Sequence, residues 1–197
     1  MAKQNFADLK CKDTVYITPD SLLDPVRSYF GGKIPLDPAT EPNNPTRAEV
    51  YCVAPTEEPA ALNQLALVAD GTTQLLVDGL QVSWSDYDGV FVNPPYSKII
   101  RQWLAKLHEE AEWGAEIVAL LPCGARYSTV YWQRDVFTDY LDAICFVKGR
   151  VKFLRPDGTP TTGSNPYDSQ IMLFNGQVDR FIELFQHLGK VLVVDVR

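Results

Sequence analysis

An α/β fold, with a mostly parallel sheet covered by helices on both faces, is predicted by three features of the sequence. Short apolar runs alternate with segments of helical periodicity. Residues 116–122 form an almost wholly apolar run, as a strand buried on both faces requires. Acidic or amide residues close several of the predicted strands. With 197 residues and 46% hydrophobic content the chain can bury a sizeable core, and we read residues 1–197 as one domain.

The elements follow in order. Thr18-Pro19 reads as an N-cap and first-turn proline opening a helix to residue 30, shortened or bent by Pro25. Residues 34–37 form a short strand ending in Asp37, residues 48–54 a second strand and residues 59–69 a helix. Strands at 74–78 and 89–93 follow, the latter ending in Asn93. Ser97 reads as the cap of a helix whose Ile100, Trp103, Leu104, Leu107 and Ala111 share one face and belong to the core. The remaining elements are a strand at 116–122, a helix near 129–141, strands near 143–153 and at 170–174, a helix at 178–188 and a strand at 190–196. The Gly, Pro, Thr and Ser of residues 156–166 mark a long loop, and its length suggests a binding role.

Composition narrows the function classes. Cys11, Cys52, Cys123 and Cys145 are widely separated, none forms a Cys-x-x-Cys pair, and His108 and His187 are the only histidines, so no metal site is expected. We expect a reduced, cytoplasmic setting. No run of about 18 apolar residues and no basic-then-apolar leader occurs, so no membrane partner is expected. The net charge of -7 runs against a nucleic-acid partner, but it is unevenly placed. Residues 37–89 carry nine acids against Arg47, a net of -8, whereas residues 90–155 carry nine bases against seven acids, a net of +2. That asymmetry permits one electropositive face.

Asn93-Pro94-Pro95-Tyr96, at the end of the apolar run 89–92, points to methylation of an amino group. A conjugated exocyclic amine is a poor nucleophile because its lone pair is delocalised. The Asn93 side-chain oxygen and the Pro94 carbonyl can each accept one of its hydrogens and favour the pyramidal nitrogen of attack. Pro95 has no N–H to compete for the Pro94 carbonyl, and Tyr96 offers a flat face on which a base can stack. The same four residues also suit a plain Pro-Pro turn with a surface tyrosine.

Asp37, Asp78 and Asn93 each close a predicted strand, and ligands of open α/β sheets bind at the carboxyl ends of strands. There they can accept hydrogen bonds from the ammonium, ribose or adenine of S-adenosylmethionine. Singly, Asp37 also suits a helix cap and Asp78-Gly79 a turn. Lys148 to Phe153 reads equally as a DNA-contacting strand or as an amphipathic strand with bases turned to solvent.

Several segments together resemble the phage-type Dam-like DNA N6-adenine methyltransferases. They are Tyr16-Ile17-Thr18-Pro19, Leu36-Asp37-Pro38-Ala39-Thr40 with Asn43, Asp78-Gly79-Leu80 with Trp84, Asn93-Pro94-Pro95-Tyr96-Ser97 with Trp103, Leu120-Leu121-Pro122, and Lys148-Gly149-Arg150-Val151-Lys152-Phe153. The resemblance runs from Tyr16 to about Phe174 and implies a Rossmann-like class I enzyme. Such an enzyme moves a methyl group from S-adenosylmethionine to N6 of a flipped adenine at specific sites in DNA. It implies that Tyr16, Thr18 and Pro19 cradle the methionine end of the cofactor. Asp37, Pro38 and Ala39 would form the first nucleotide-binding loop, and Asp78 would meet the cofactor adenine. Asn93, Pro94, Pro95 and Tyr96 would perform transfer. Arg150 and Lys152 would meet DNA, with Lys98, Arg101 and Arg126 as the next candidates. No obligate protein partner is implied.

Two features depart from the family pattern. The loop after Asp37-Pro38 has no glycine, and the interval from Thr40 to Asp78 is long, leaving Glu57 and Glu58 as candidate ribose ligands. The motifs also suit methylation of RNA adenine, cytosine N4 or a glutamine amide. A catalytically inactive DNA-binding or decoy module is a further alternative.

Overall fold

A computed structural model describes residues 17–53, 65–67, 71–75, 77–124, 127–155, 157–161 and 167–195. Tyr16, Glu57, Glu58 and Arg126, and much of the loop 156–166, lie outside them. The strands are β1 Leu36–Asp37, β2 Val50–Cys52, β3 Leu65–Leu67, β4 Thr73–Leu75, β5 Val90–Val92, β6 Ile117–Cys123, β7 Leu141–Val147, β8 Asp168–Phe174 and β9 Gly189–Val193. The helices are α1 Asp20–Tyr29, α2 Ile100–Glu112, α3 Val130–Asp135 and α4 Val178–Phe185, with a 3-10 turn at Gly79–Gln81. Among the described residues all nine strands join one sheet in the order β3-β4-β2-β1-β5-β6-β8-β7-β9.

Alternation along the central strands divides the core into two layers. Val90, Val92, Ile117, Ala119 and Leu121 face one layer with Ile100, Trp103, Leu104 and Leu107 of α2 and Trp132 of α3. Phe91, Val118 and Leu120 face the other with Leu22, Leu23 and Val26 of α1 and Phe181 and Phe185 of α4. Because successive side chains of a strand point to opposite faces, a strand sandwiched this way must be apolar at every position, and the apolar run at 117–121 meets that requirement.

The sheet is mixed rather than mostly parallel. The pairs β1–β2, β2–β4, β1–β5 and β5–β6 are parallel, whereas β3–β4, β6–β8, β7–β8 and β7–β9 are antiparallel. Among the described residues no helix lies between β7 and β8, and β8 runs antiparallel to both β6 and β7, between which it sits. A strand buried on both faces carries the same apolar signal in either direction, so the sequence is silent on this reversal.

Local readings are corrected too. Residues 65–67, inside the expected helix 59–69, form β3, paired through Leu65↔Leu75 and Leu67↔Thr73, so edge pairing overrides the helical preference of an Ala/Leu-rich segment. The rest of that interval lies outside the described residues. α2 begins at Ile100 with Ile99 as its cap, three residues after Ser97, whose hydroxyl lies only at the limit of contact with the Ile99 N–H, 3.5 Å. α3 stops at Asp135, short of the expected end. β7 ends at Val147 because Gly149 takes a left-handed φ of 78°, which a continuing strand does not accept. The segment beyond bends back, and Leu154 bridges both Ile17 and Pro160.

One consequence positions the site. From β1 the chain moves outward through β2 to β4, then returns to the other side of β1 with β5 and β6. The order therefore reverses between β1 and β5, which places a crevice between Asp37 and Asn93.

Candidate active site

Asn93 emerges from β5, whose three residues are all buried. Its amide Nδ2 donates to Thr18 Oγ1 at 3.0 Å, which leaves Oδ1 as the acceptor that the side chain can offer a substrate. The sequence predicts Thr18 as the N-cap of α1. The cap position falls instead on Pro19 and makes no side-chain capping bond, and the Thr18 hydroxyl turns to Asn93. Pro94 is buried and Pro95 exposed. Tyr96 packs against the α2-side core, and its hydroxyl donates to the Leu120 carbonyl at 3.0 Å, beyond the last rung between β5 and β6 at Val92↔Ala119. Burial pushes that phenol well above its ordinary value, so Tyr96 keeps its proton and is no base.

Asp37 is only 2% exposed. Its Oδ1 accepts from the Ala39 N–H at 3.0 Å and its Oδ2 from the Thr46 hydroxyl at 2.8 Å. Desolvation nevertheless outweighs these bonds and raises its pKa to about 6. Thr46 is held in turn by Arg27 of α1, which donates to its carbonyl at 3.2 Å and pairs with Asp20 and Asp24. Nothing in the sequence around Thr46 or Arg27 marks either as a support for Asp37. Asn44, in a left-handed turn at φ 45°, is the local signal that the chain doubles back there.

Asp78 lies three residues beyond β4 rather than at its end, and its Oδ1 accepts from the Leu80 N–H at 3.0 Å to cap the 3-10 turn. Next to it, Gly79 packs onto Pro38, joining the Asp37 loop to the Asp78 loop. The glycine missing after Asp37 is thus supplied from the opposite side of the contact. Both carboxylates act on Cys52 at the end of β2, whose thiol is raised to about 12 by burial first and then by Asp37 and Asp78. A buried carboxylate from α2 secures this loop. Glu110, 0% exposed, accepts from the N–H groups of Trp84 and Ser85 at 2.8 and 2.9 Å and pairs with Lys106 at 2.5 Å. Trp84 donates from its indole to the Gly79 carbonyl at 2.9 Å and stacks on Trp103. The helical pattern marks Glu110 only as a polar residue, so its burial is not legible there.

Thr18, Asp37, Ala39 and Asn93 line one cleft, together with Ile17, Thr40, Glu41, Pro45, Thr46 and Phe91. Asp78 is not among its lining residues. The cleft holds about 40 Å³, room for a solvent molecule rather than a nucleoside. Arg150 and Lys152 are exposed on the segment after β7, flanking the buried Val151. Arg150 pairs with Asp168 at 3.6 Å. That segment reaches the cleft through Leu154, whose N–H and carbonyl both bond to Ile17 at 2.9 Å.

Among the described residues no helix is long and apolar enough to cross a membrane. Residues 7–185 match the family DNA N-6-adenine-methyltransferase (Dam), and the chain belongs to that family. The chemistry of the family is transfer of a methyl group to N6 of adenine in DNA, so the protein is an enzyme whose substrate is DNA. No curated protein matches the chain.

Proposed function

We propose that the crevice between β1 and β5 takes S-adenosylmethionine as methyl donor and that Asn93 receives the N6 amine of an adenine flipped out of DNA, within a doubly wound, Rossmann-like core. The observation that carries the reading is Asn93 itself: its Nδ2 is engaged by Thr18, in the cleft that also contains Asp37. The donor chemistry suits the lining, because a sulfonium and an ammonium are cations and Asp37 and Glu41 are acids. S-adenosylmethionine supplies an already activated methyl group, so the protein has to align, desolvate and polarise.

Asn93 Oδ1 and the Pro94 carbonyl accept the two amine hydrogens and hold the lone pair toward the incoming methyl. Tyr96, anchored at its hydroxyl, is the surface for stacking, worth roughly 1 to 3 kcal/mol per base and so offsetting part of the cost of flipping. Asp78 stands at the adenine end of the cofactor, with the 3-10 turn fixing its position. Neither Asn93 nor the high-pKa Tyr96 takes the amine proton, which leaves to solvent. Arg150 and Lys152 meet DNA phosphates beside the cleft. Cytoplasmic location, recognition of specific sites and a phage setting belong to the same reading.

Transfer of labelled methyl from S-adenosylmethionine to duplex DNA, single-stranded RNA, adenine-free DNA and a glutamine peptide tests it. Label on adenine-containing DNA is expected. Label on any of the others in its place would assign one of the alternative amines, and no donor binding at all would indicate an inactive module.

A further inference from the structure

We propose that Thr46 is a positioning residue of the donor site: its hydroxyl holds the Asp37 carboxylate in the ionised form that a cationic donor requires, and so sets how acidic the medium can become before the donor is lost. The inference rests on the reading of Asp37 as part of the S-adenosylmethionine site. An ionised carboxylate only accepts, so the 2.8 Å contact between Thr46 Oγ1 and Asp37 Oδ2 has one direction, hydroxyl to carboxylate. A charge-assisted bond of this kind is about twice as strong as its neutral counterpart, so it favours the ionised form.

The loop is shaped to deliver that hydroxyl. Thr46 is 4% exposed, and on either side of it Asn44 and Arg47 take left-handed φ values of 45° and 57°, a conformation that costs a non-glycine residue energy unless its surroundings impose it. The Asn44 amide has a fixed sense, because its Nδ2 donates to the Ala48 carbonyl at 2.9 Å and its Oδ1 accepts from the Ala48 N–H at 3.0 Å. Asn44 Oδ1 therefore stands as a second acceptor, 3.3 Å from Thr46 Oγ1. The hydroxyl has one proton and two claimants. It serves Asp37 while that carboxylate is charged and turns to Asn44 once Asp37 is protonated. The other groups around Asp37 are assigned as follows. The Ala39 N–H and the Thr40 hydroxyl also support its charge, and Glu41 shares its cleft. Asp78 acts with Asp37 on Cys52 of β2, whose thiol stays neutral in this range, and β5 contributes the uncharged Asn93. Arg27 of α1 reaches the Thr46 carbonyl and is balanced by Asp20 and Asp24, and Arg47 pairs with Asp20.

The test follows S-adenosylmethionine affinity against pH by calorimetry in the full chain. It compares the wild type with Thr46→Val, close in shape but without the hydroxyl, and with Thr46→Ser, which keeps it. Wild-type affinity should fall with a midpoint at about 6. Thr46→Val should raise that midpoint by about one pH unit, weakening binding about threefold at about pH 6.5 and leaving it within about twofold at about pH 8. Thr46→Ser should hold the wild-type midpoint. In the wild type the Thr46 side-chain NMR resonances should titrate together with the Asp37 carboxyl carbon as the hydroxyl changes partner, and this measurement decides alone if Thr46→Val does not fold. An unmoved midpoint in Thr46→Val, an equal loss of affinity at every pH, or Thr46 resonances that ignore the Asp37 titration would overturn the inference. Asp37→Asn separates the two levels: wild-type affinity and pH profile in that variant remove the reading beneath, whereas a loss there beside an unmoved midpoint in Thr46→Val removes this inference only.

Discussion

Gly79 lies so close to Pro38 that a Cβ added to it would stand 1.9 Å from the Pro38 carbonyl oxygen. Its φ is not in the left-handed region, so the position needs glycine for space and not for conformation. Two loops separated by about forty residues of sequence thus form one wall, and the acid of each, Asp37 and Asp78, is fixed relative to the other.

Gly79→Ala is therefore expected to push these loops apart, destabilising the fold by roughly 1 to 3 kcal/mol, as overpacking does. Donor binding should weaken with it. Urea denaturation and calorimetric titration of S-adenosylmethionine measure the two effects. Unchanged stability would mean that the contact gives way freely.

Asp37 gives a pH dependence of definite sign. Its pKa rises from 3.8 to about 6 on folding, so between those values the folded state binds more protons than the unfolded state. The contribution of Asp37 to stability is greatest at the acid end and falls as pH rises through about 6. A cationic donor needs the carboxylate, so its affinity should move oppositely and weaken as pH falls below about 6. Titration across this range, with Asp37→Asn as the reference lacking both effects, checks the pair. A flat wild-type affinity would remove Asp37 from the donor site.

On the DNA side, Arg150 and Lys152 are exposed, and the Arg150–Asp168 pair, 53% and 69% exposed, is worth little in water. Replacing either base with Ala should weaken DNA binding on all sequences and reduce the salt slope by about one unit. Loss of discrimination instead, by roughly 1 to 3 kcal/mol per base, would mean base-edge contact. If neither changes, attention moves to Lys98 and Arg101, the latter stacked over Tyr131 at 4.8 Å.

How much of this was legible in the sequence follows from what each signal encodes. The placement of Asn93-Pro94-Pro95-Tyr96 just after a buried strand is readable because an apolar run and its end are both local. The apolar face of α2 was readable because helical period and burial coincide, and Ile100, Trp103, Leu104, Leu107 and Ala111 are all buried. The contacts of Thr18, Thr46, Arg27 and Glu110 are not legible, since each acts on a residue distant in sequence and its own neighbours suggest only a cap, a loop or a solvated helix face. The apolar residues before Asp78 continue the strand pattern and predict a strand ending there, while β4 stops at Leu75.

The central claim is that Asn93 carries methyl transfer to adenine N6, and digestion of treated DNA to nucleosides with mass spectrometry tests it most directly. The wild-type chain with S-adenosylmethionine should yield N6-methyladenine. Asn93→Ala, folded and binding donor as before, should yield it at least about a hundredfold more slowly. Near-normal N6-methyladenine from Asn93→Ala, or methylation by the wild type of another base alone, would contradict the account.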